Sequence, residues 1–361
     1  MEKSNIKTHK GFKIFLIIFI IGILFFTKKD NQEKFIEGFH SLNAREKTLE
    51  SVEIIDLEQD LEEVYLYDKE IIKWHNNKIT FLELDGSIKL EKEFIFQEPD
   101  ILFTNKYIYI MDKSTGDVYT LNKEGETLKR FNLGNKIFNI KEIDGLMVHM
   151  KSDEIESINI LDKEGKSIKN HNINNKNILT YSINENKDKY LISNLNLKED
   201  KLKSEISIYS IEGEKIHNLD IKGEIVFFSE FIKDEIIALT DANLYLIKDG
   251  DIQWKKPFYS IKDVEHKDNR IYILYDNILE VVDLKGRTEE KFIIGSKYNK
   301  ILPFGKYILL YGNNDLLGIQ GSRQVINYKH PEEIIKIDTN KSMIGIYGDK
   351  KLELFKLINK T

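Results

Sequence analysis

The chain has 361 residues and a mass of 42.4 kDa, enough for one large domain or two of ordinary size. Hydrophobic residues make up 41% and charged residues 32%, a composition typical of folded, core-forming proteins. The absence of cysteine excludes a disulfide framework, cysteine-ligated zinc, iron–sulfur clusters, thiol catalysis and a bacterial lipoprotein anchor.

The formal net charge is −6, and it is unevenly distributed. The first 30 residues hold six lysines and two acidic residues, so the rest of the chain carries 48 basic and 58 acidic side chains, a net charge of −10. Nucleic-acid binding depends on clustered Lys and Arg that release counterions. The acidic body therefore predicts no nucleic-acid partner.

The first predicted element is a membrane anchor. Residues 14–26 read IFLIIFIIGILFF, and residues 12–27 form an apolar stretch interrupted only by Lys13. Sixteen residues are close to the length of a spanning helix, and hydrophobicity on all sides argues against an amphipathic surface helix. A cleaved signal peptide is the alternative, but the residues after the stretch are Phe-Phe-Thr-Lys-Lys instead of the small residues that cleavage needs. We expect an uncleaved signal-anchor at 12–27.

The flanking charges set the predicted orientation. Lysines precede and follow the anchor in similar numbers, so the positive-inside bias is slight. Together with the absence of cysteine and the large C-terminal body, it favours a cytoplasmic tail at 1–11 and a body outside the cytoplasmic membrane. Residues 28–50 are polar and are expected to form a stalk or linker, either a short helix or a partly ordered spacer.

The body after this linker is an internal repeat. Seven segments end in a glycine that follows a second β-rich run, at spacings of 35–48 residues. These turn glycines are Gly86, Gly125, Gly165, Gly213, Gly250, Gly286 and Gly321. Apolar residues alternate with polar ones before each glycine, which predicts strands with one face in a core. The Asp-Gly and Glu-Gly pairs favour tight hairpins.

Each repeat predicts about four antiparallel strands. A more polar strand follows each glycine, for example 127–131 or 252–256, and another strand precedes each segment, for example 100–104 or 226–230. One such sheet is too small to bury its own faces. Radial stacking into a β-propeller is the closed arrangement that fits this period.

The two ends of the repeat region predict the blade count. A single strand, 51–57, precedes the first repeat. After the last outer strand, 323–328, three further strands are predicted at 333–337, 343–347 and 351–357. We therefore predict an all-β, eight-bladed propeller over 51–361, in which the N-terminal strand completes the last blade. A seven-bladed ring remains the alternative if the terminal strands are misassigned.

The repeats at 108–131 and 243–257 resemble the PQQ-like, or quinoprotein-type, β-propeller repeat, a resemblance that extends diffusely over 51–358. In that repeat a tryptophan follows the second turn glycine and docks neighbouring blades. Trp254 stands four residues after Gly250, as the repeat has it. The tryptophan is replaced at the other equivalent positions, which are Leu90, Lys129, Lys169, His217, Glu290 and Val325.

The whole layout, one anchor and one divergent propeller, also resembles membrane-anchored propeller proteins of AT-rich Gram-positive bacteria. Non-enzymatic members of the wider superfamily include envelope assembly factors that bind partners by strand addition or through loops. The resemblance thus implies a protein or cell-envelope partner. Catalytic quinoprotein propellers are longer and carry more tryptophan and metal-binding acids than this chain, so no quinone cofactor is expected.

No motif with catalytic spacing occurs in the sequence. Phosphate-binding GxxxxGK[ST], a dinucleotide GxGxxG and the GxSxG elbow are missing. The eight histidines are scattered and form no HExxH pair, and we expect His75 and His149 to be packed or hydrogen-bonded within strands. Residues 112–117 resemble a calcium loop only in part, and a hairpin turn is the preferred interpretation.

The remaining candidates favour structure over chemistry. Tyr107, Tyr109, Tyr272 and Tyr275 are expected to pack in the core instead of stacking on carbohydrate. Paired acids such as Glu332 with Glu333 and Glu62 with Glu63 are expected on the solvated surface. We therefore assign no catalytic, cofactor-binding or metal-binding residue. The sequence predicts a non-catalytic binding or scaffold propeller outside the membrane.

The enzymatic alternative is an envelope hydrolase or lyase whose acids converge on the propeller axis. Acidic side chains clustered at one mouth of a central funnel would favour that alternative. A funnel lined by Ser, Asn and aliphatic groups would favour binding. A ligand sensor that signals to the cytoplasmic tail is a third option, although a tail of 11 residues offers little for signalling.

Overall fold

A computed structural model describes residues 45–57, 63–67, 69–104, 106–152, 155–174, 177–196 and 202–360. The predicted tail, anchor and most of the predicted stalk lie outside these residues. The part of the chain that the structure describes contains no apolar helix of membrane-spanning length. It is all-β, as the repeats predicted.

Within these ranges the chain forms 32 strands. In chain order they are β1 (Lys47–Asp56), β2 (Glu63–Leu66), β3 (Glu70–His75), β4 (Lys78–Glu83), β5 (Ile88–Glu93), β6 (Pro99–Phe103), β7 (Ile108–Asp112), β8 (Asp117–Leu121), β9 (Thr127–Asn132), β10 (Ile137–Glu142), β11 (Gly145–Ser152), β12 (Ile155–Asp162), β13 (Ser167–Asn174), β14 (Asn177–Ile183), β15 (Lys189–Asn196) and β16 (Lys203–Ser210). They continue as β17 (Lys215–Lys222), β18 (Val226–Ile232), β19 (Glu235–Thr240), β20 (Asn243–Lys248), β21 (Asp251–Pro257), β22 (Ile261–Lys267), β23 (Arg270–Tyr275), β24 (Ile278–Asp283), β25 (Thr288–Ile293), β26 (Lys300–Phe304), β27 (Tyr307–Gly312), β28 (Asp315–Gln320), β29 (Arg323–Lys329), β30 (Lys336–Thr339), β31 (Met343–Tyr347) and β32 (Lys351–Asn359).

The strands are arranged as antiparallel meanders of four, as in a β-propeller. Six four-stranded sheets comprise β2–β5, β6–β9, β10–β13, β14–β17, β18–β21 and β22–β25, which we number units 1 to 6. The described strands also form one eight-stranded sheet in the order β26-β27-β28-β29-β1-β32-β31-β30. It consists of unit 7 (β26–β29) and unit 8 (β30–β32 with β1), which meet through a single parallel pair, Lys47 with Ile326.

The N-terminal strand pairs with the C-terminal strand. β1 runs antiparallel to β32, from Lys47 opposite Asn359 to Asp56 opposite Lys351. It begins at Lys47, four residues before the predicted start at Ser51. The N-terminal strand is therefore the outer strand of unit 8, and hydrogen bonds join the two ends of the repeat region.

The first strand of unit 8 differs from its predicted position. The sequence predicted a strand at 333–337, whereas β30 is Lys336–Thr339. Ile334 donates its backbone N–H to the carbonyl of Asn313 in unit 7, and the side chain of Ile335 is 64% exposed. The segment before β30 thus crosses between units. Its two isoleucines gave the sequence pattern of a strand, although the strand itself starts at Lys336.

Burial within each unit follows from stacking. All five residues of β7 and all five of β31 are buried, because second and third strands are covered on both faces by neighbouring units. Outer strands such as β5 and β9 alternate between exposed and half-buried residues. Eight clusters of buried side chains each join two successive units, and one of them joins unit 8 to unit 1.

Side chains of the outer strands dock on the turn glycine of the next unit. A Cβ built on that glycine would lie 2.2–3.4 Å from the docking side chain, and each of these glycines has a positive φ that other residues rarely adopt. These contacts join Ile55 to Gly86, Leu90 to Gly125, Lys169 to Gly213, His217 to Gly250 and Trp254 to Gly286. Most of the docking residues occupy the tryptophan position of the resembled repeat. The docking geometry therefore persists without the tryptophan.

Trp254 makes the most extensive of these contacts. Its ring packs on Gly286, which has a φ of +78°, and its indole Nε1–H donates to the carbonyl oxygen of Leu284 at 3.0 Å. We expect Trp254→Ala to lower the free energy of unfolding by about 2–3 kcal/mol, less than for a fully buried tryptophan because the ring is half-buried. Trp254→Phe keeps most of the packing and loses the hydrogen bond, so we expect it to lower the free energy of unfolding by about 1 kcal/mol. Urea denaturation of both variants measures the difference.

Candidate functional site

The first strands of the units face a common space. One open cavity of about 460 Å³ is lined by Tyr65 of unit 1, residues 102–104 of unit 2, 140–142 of unit 3 and 228–230 of unit 5. Residues from units that are not neighbours in sequence line a single cavity only if their first strands surround one axis. The cavity is therefore a central one, and each wall comes from a different repeat.

A second cavity, of about 430 Å³, opens beside the first and shares Tyr65 with it. Its other walls are residues 303–305 of unit 7, 339–341 of unit 8 and Lys123. Both cavities lie where first strands end, so they open at the same mouth of the ring. Lys123 lies 4.8 Å above the ring of Tyr67. No carboxylate lines this second cavity among the described residues.

Lys141 and Glu230 supply opposite charges to the larger cavity. The Nζ of Lys141 donates to the carbonyl oxygen of Tyr181 at 2.9 Å and lies 4.8 Å above the Tyr181 ring. Burial lowers the pKa of Lys141, partly offset by the charge of Glu230, and burial raises the pKa of Glu230, partly offset by Lys141. Both side chains remain accessible to water in the central cavity, which we call the channel. Protein atoms nevertheless surround them, so their charged forms lose part of their solvation.

Glu265 lies on β22, the first strand of unit 6, beside β18 of unit 5. Burial raises its pKa to about 7, with further contributions from the negative charges of Asp263 and Glu230, while Lys300 lowers it. Asp263 itself is engaged, since its Oδ2 accepts the backbone N–H of Ile301 at 2.8 Å. A carboxyl group that titrates near neutral pH is a feature of acid–base sites, although structural networks produce it too.

The charge on Glu265 should make stability depend on pH. The Glu265 carboxyl group binds its proton more tightly in the folded state than in the unfolded state. The free energy of unfolding therefore falls as pH rises from about 4.5 to about 7. We expect Glu265→Gln to be about 1–2 kcal/mol more stable than the parent at pH 8, after allowance for screening by channel water, and equal to it at pH 4.5. Urea denaturation at both pH values measures this. The exposed Glu333→Gln should show no such dependence.

Asp338 on β30 joins unit 8 to unit 1. Its Oδ2 accepts the backbone N–H of Leu66 at 2.9 Å, and burial raises its pKa although that hydrogen bond opposes the shift. Below it, Lys336 contacts Glu63 at 3.1 Å. The larger cavity itself is lined by Glu142 and Glu230 together with Lys141, Ser229 and aliphatic side chains, and it matches neither of the two simple linings considered from the sequence.

The histidine expectations are confirmed. His149 is 3% exposed, and its Nε2 lies 3.1 Å from a carboxylate oxygen of Glu156 on the next strand. His75 lies at the end of β3, with its Nε2 2.8 Å from the amide nitrogen of Asn76. No group of three or more His, Asp or Glu side chains in the described ranges is placed to hold a metal ion.

Residues 112–117 form a turn between β7 and β8, as preferred from the sequence. The carboxylate of Asp112 accepts hydrogen bonds from the backbone N–H groups of Gln97, Glu98 and Ser114 and from the Ser114 hydroxyl. Burial would raise the pKa of Asp112, but these hydrogen bonds lower it. Its oxygens are therefore used by the protein itself.

The tyrosine expectations are confirmed as well. Tyr109 is buried between units 2 and 3, and Tyr107 packs against the same cluster. Tyr272 and Tyr275 pack against the clusters on either side of unit 6. Of the paired acids, Glu332, Glu333 and Glu63 are exposed, and Glu62 lies outside the described residues.

Sequence reasoning missed the polar residues of the channel and a set of buried carboxylates away from it. Glu280 of unit 6 is 3% exposed and accepts hydrogen bonds from Lys256, Thr288 and Tyr275. Glu224 is held by a similar set, including Tyr245. An acidic residue in an otherwise apolar strand, such as Glu280 in ILEVVD, is the signal that could have located the first.

Solved structures of low sequence identity share this fold. The chain is similar to the C-terminal WD40 domain of Sif2 (TM-score 0.61, 14% identity, covering 87% of this chain and 97% of that one). It is also similar to Sqt1 from Saccharomyces cerevisiae (0.61, 10%, covering 87% and 100%) and to BamB from Moraxella catarrhalis (0.57, 11%, covering 85% and 99%). These likenesses show that the chain has a β-propeller fold.

Sequence comparison gives a more specific result. No curated protein sequence is significantly similar to this chain. Residues 43–357, which span all of the described units, match a family of unknown function, DUF5711. The chain therefore belongs to the DUF5711 family.

Proposed function

We propose that this chain is an eight-bladed propeller of the PQQ-like type that serves as a binding or scaffold module. Four-stranded units 1 to 8 and the buried cluster between units 8 and 1 support the blade count. The observation that carries the binding role is the convergence of four units on one open cavity beside a second cavity at the same mouth. Propeller ligands are expected at such concave sites.

The proposal extends to location. The apolar stretch at 12–27 would anchor the chain in the cytoplasmic membrane and display the propeller outside it, where a protein or another component of the cell envelope would be the partner. The resemblance to membrane-anchored propellers of Gram-positive bacteria supports this placement. Protease treatment of intact protoplasts tests it, since an exposed body is degraded and a cytoplasmic one is protected.

Site-specific photo-crosslinking in intact cells tests the binding role. A benzophenone amino acid at Lys341 lies at the mouth that holds both cavities, and the same probe at Lys113 lies in a turn at the opposite end of the strands. A defined cross-linked partner from Lys341 but not from Lys113 is expected. Equal products from both positions, or none from Lys341, would contradict the assigned binding face.

A hydrolase or lyase is the second candidate. Glu230 and Glu265 lie on neighbouring first strands, and both have a raised pKa, which suits a general acid at neutral pH. Enzymatic activity on envelope glycans or peptides that disappears in both Glu230→Gln and Glu265→Gln would support it. Unchanged activity in both variants would remove it.

A further inference from the structure

The larger cavity presents a cation, Lys141, and an anion, Glu230, that do not pair with each other. Among the described residues, Lys141 donates a hydrogen bond only to the Tyr181 carbonyl, so two of its three N–H donors are left for a ligand. Glu230 accepts no hydrogen bond from any described residue, and the two charges form no direct ion pair with each other. Glu142 also lines the cavity, which gives it a net charge of −1.

Packed neighbours position the Lys141 side chain and the strand that carries Glu230. Tyr181, which accepts a hydrogen bond from Lys141, is 3% exposed. Next to Glu230, the hydroxyl of Ser229 is hydrogen-bonded to that of Thr180 on the neighbouring first strand, and Ser229 is 1% exposed. A site built on such packed strands orders fewer groups on binding, which favours affinity.

An aromatic wall lies beside the charges. The rings of Tyr65 and Phe103 stack with centroids 4.9 Å apart at an angle of 7°, and both line the cavity together with Phe228. An apolar group of a ligand would pack on this wall. The cavity thus combines a donor, an acceptor and an apolar surface within about 460 Å³.

We propose that the central cavity binds a small zwitterion, either a free amino acid or a short peptide with free ends. The carboxylate of the ligand lies at the Nζ of Lys141, its ammonium at the carboxylate of Glu230, and its apolar side chain on Tyr65 and Phe103. This inference deepens the proposed binding role and rests on it.

Calorimetric titration with ligands blocked at one end tests the two charge contacts. The probes are phenylalanine, the dipeptide Phe-Gly, N-acetyl-Phe-Gly and Phe-Gly amide. Saturable binding of a probe with both ends free is expected, and each blocked dipeptide should bind about tenfold more weakly or worse, because a charged hydrogen bond is lost. Stronger binding of phenylalanine identifies an amino acid as the source, and stronger binding of Phe-Gly identifies a peptide.

Two variants assign each end of the ligand to its residue. Glu230→Gln should bind Phe-Gly and N-acetyl-Phe-Gly equally, and Lys141→Gln should bind Phe-Gly and its amide equally. The exposed Lys166→Gln is the matched control and should retain both preferences. The side chains of Lys141 and Glu230 are exposed, so we expect both variants to fold. Thermal denaturation checks this.

Different results would contradict the proposed ligand class and the proposed binding role. No saturable binding of phenylalanine or Phe-Gly below about 1 mM, or binding that is indifferent to blocked ends, overturns the zwitterion site. If the cross-link from Lys341 is still recovered in that case, the proposed binding role stands without this ligand. Loss of both results refutes both.

Discussion

Replacing Ile55 by aspartate is expected to lower the free energy of unfolding by about 3–5 kcal/mol. Ile55 lies on β1, is 6% exposed and packs in the cluster that joins unit 8 to unit 1, where its side chain also contacts the turn at Gly86. Aspartate at this position would bury an unpaired charge in the contact on which closure of the ring depends. Chemical denaturation measures the loss.

The adjacent residue provides a matched control. Ile54 lies on the same strand, but its side chain points away from the cluster and is 52% exposed. Ile54→Asp should therefore change the free energy of unfolding by only about 0.5 kcal/mol. A similar loss in both variants would show that β1 does not bury one face against unit 1.

The second large effect is expected at Glu280, a buried carboxylate that is strongly stabilised in its charged form. Burial alone would raise its pKa, but hydrogen bonds from Lys256, Thr288 and Tyr275 lower it to about 2. We expect Glu280→Gln to lower the free energy of unfolding at pH 7 by about 2–3 kcal/mol. The amide keeps the volume of the side chain and removes its charge, so packing contributes little to the loss.

The sign of the pH dependence separates this effect from packing. Because the folded-state pKa lies below the ordinary value of 4.5, the stabilisation is fully present above about pH 4.5 and is lost as pH falls towards 2. The parent and Glu280→Gln should therefore converge in stability at low pH. The exposed Glu214→Gln serves as control and should follow the parent throughout. A deficit that is independent of pH would assign the effect to packing.

Local signals in the sequence were sufficient for most of the fold. Continuous apolar runs located β7 and β31, and the turn glycines located the hairpins, because both signals depend on neighbours within a few residues. The pairing of β1 with β32 followed from counting strands, since an incomplete final unit needs one more strand. The start of β30 was misplaced because two apolar residues precede it: Ile334 packs in a core cluster from outside a strand, and Ile335 is apolar although its side chain is exposed.

The channel could not be predicted in the same way. Lys141 and Glu230 are separated by many residues, and only the closed ring brings them to one cavity. The face of the strand on which each side chain lies also depends on irregularities in the first strands. The pairing register shifts between Ile137 and Asn139 and between Val226 and Phe228. Each shift moves the following side chains to the opposite face of the strand. A strict alternation read from the sequence would therefore orient these residues wrongly.

Ring closure by the two ends of the repeat region is the central claim, and a disulfide between β1 and β32 tests it most directly. Glu50 lies opposite Lys356, and the chain has no native cysteine, so Glu50→Cys with Lys356→Cys creates the only possible pair. In the control, Glu50→Cys with Lys351→Cys, the partner lies five residues along β32, ~16 Å away and beyond disulfide reach. We predict rapid oxidation of the first pair, seen as a reducible gel shift, while the control stays reduced. Failure of the first pair to oxidise, or equal oxidation of both pairs, would contradict closure of the ring in this register.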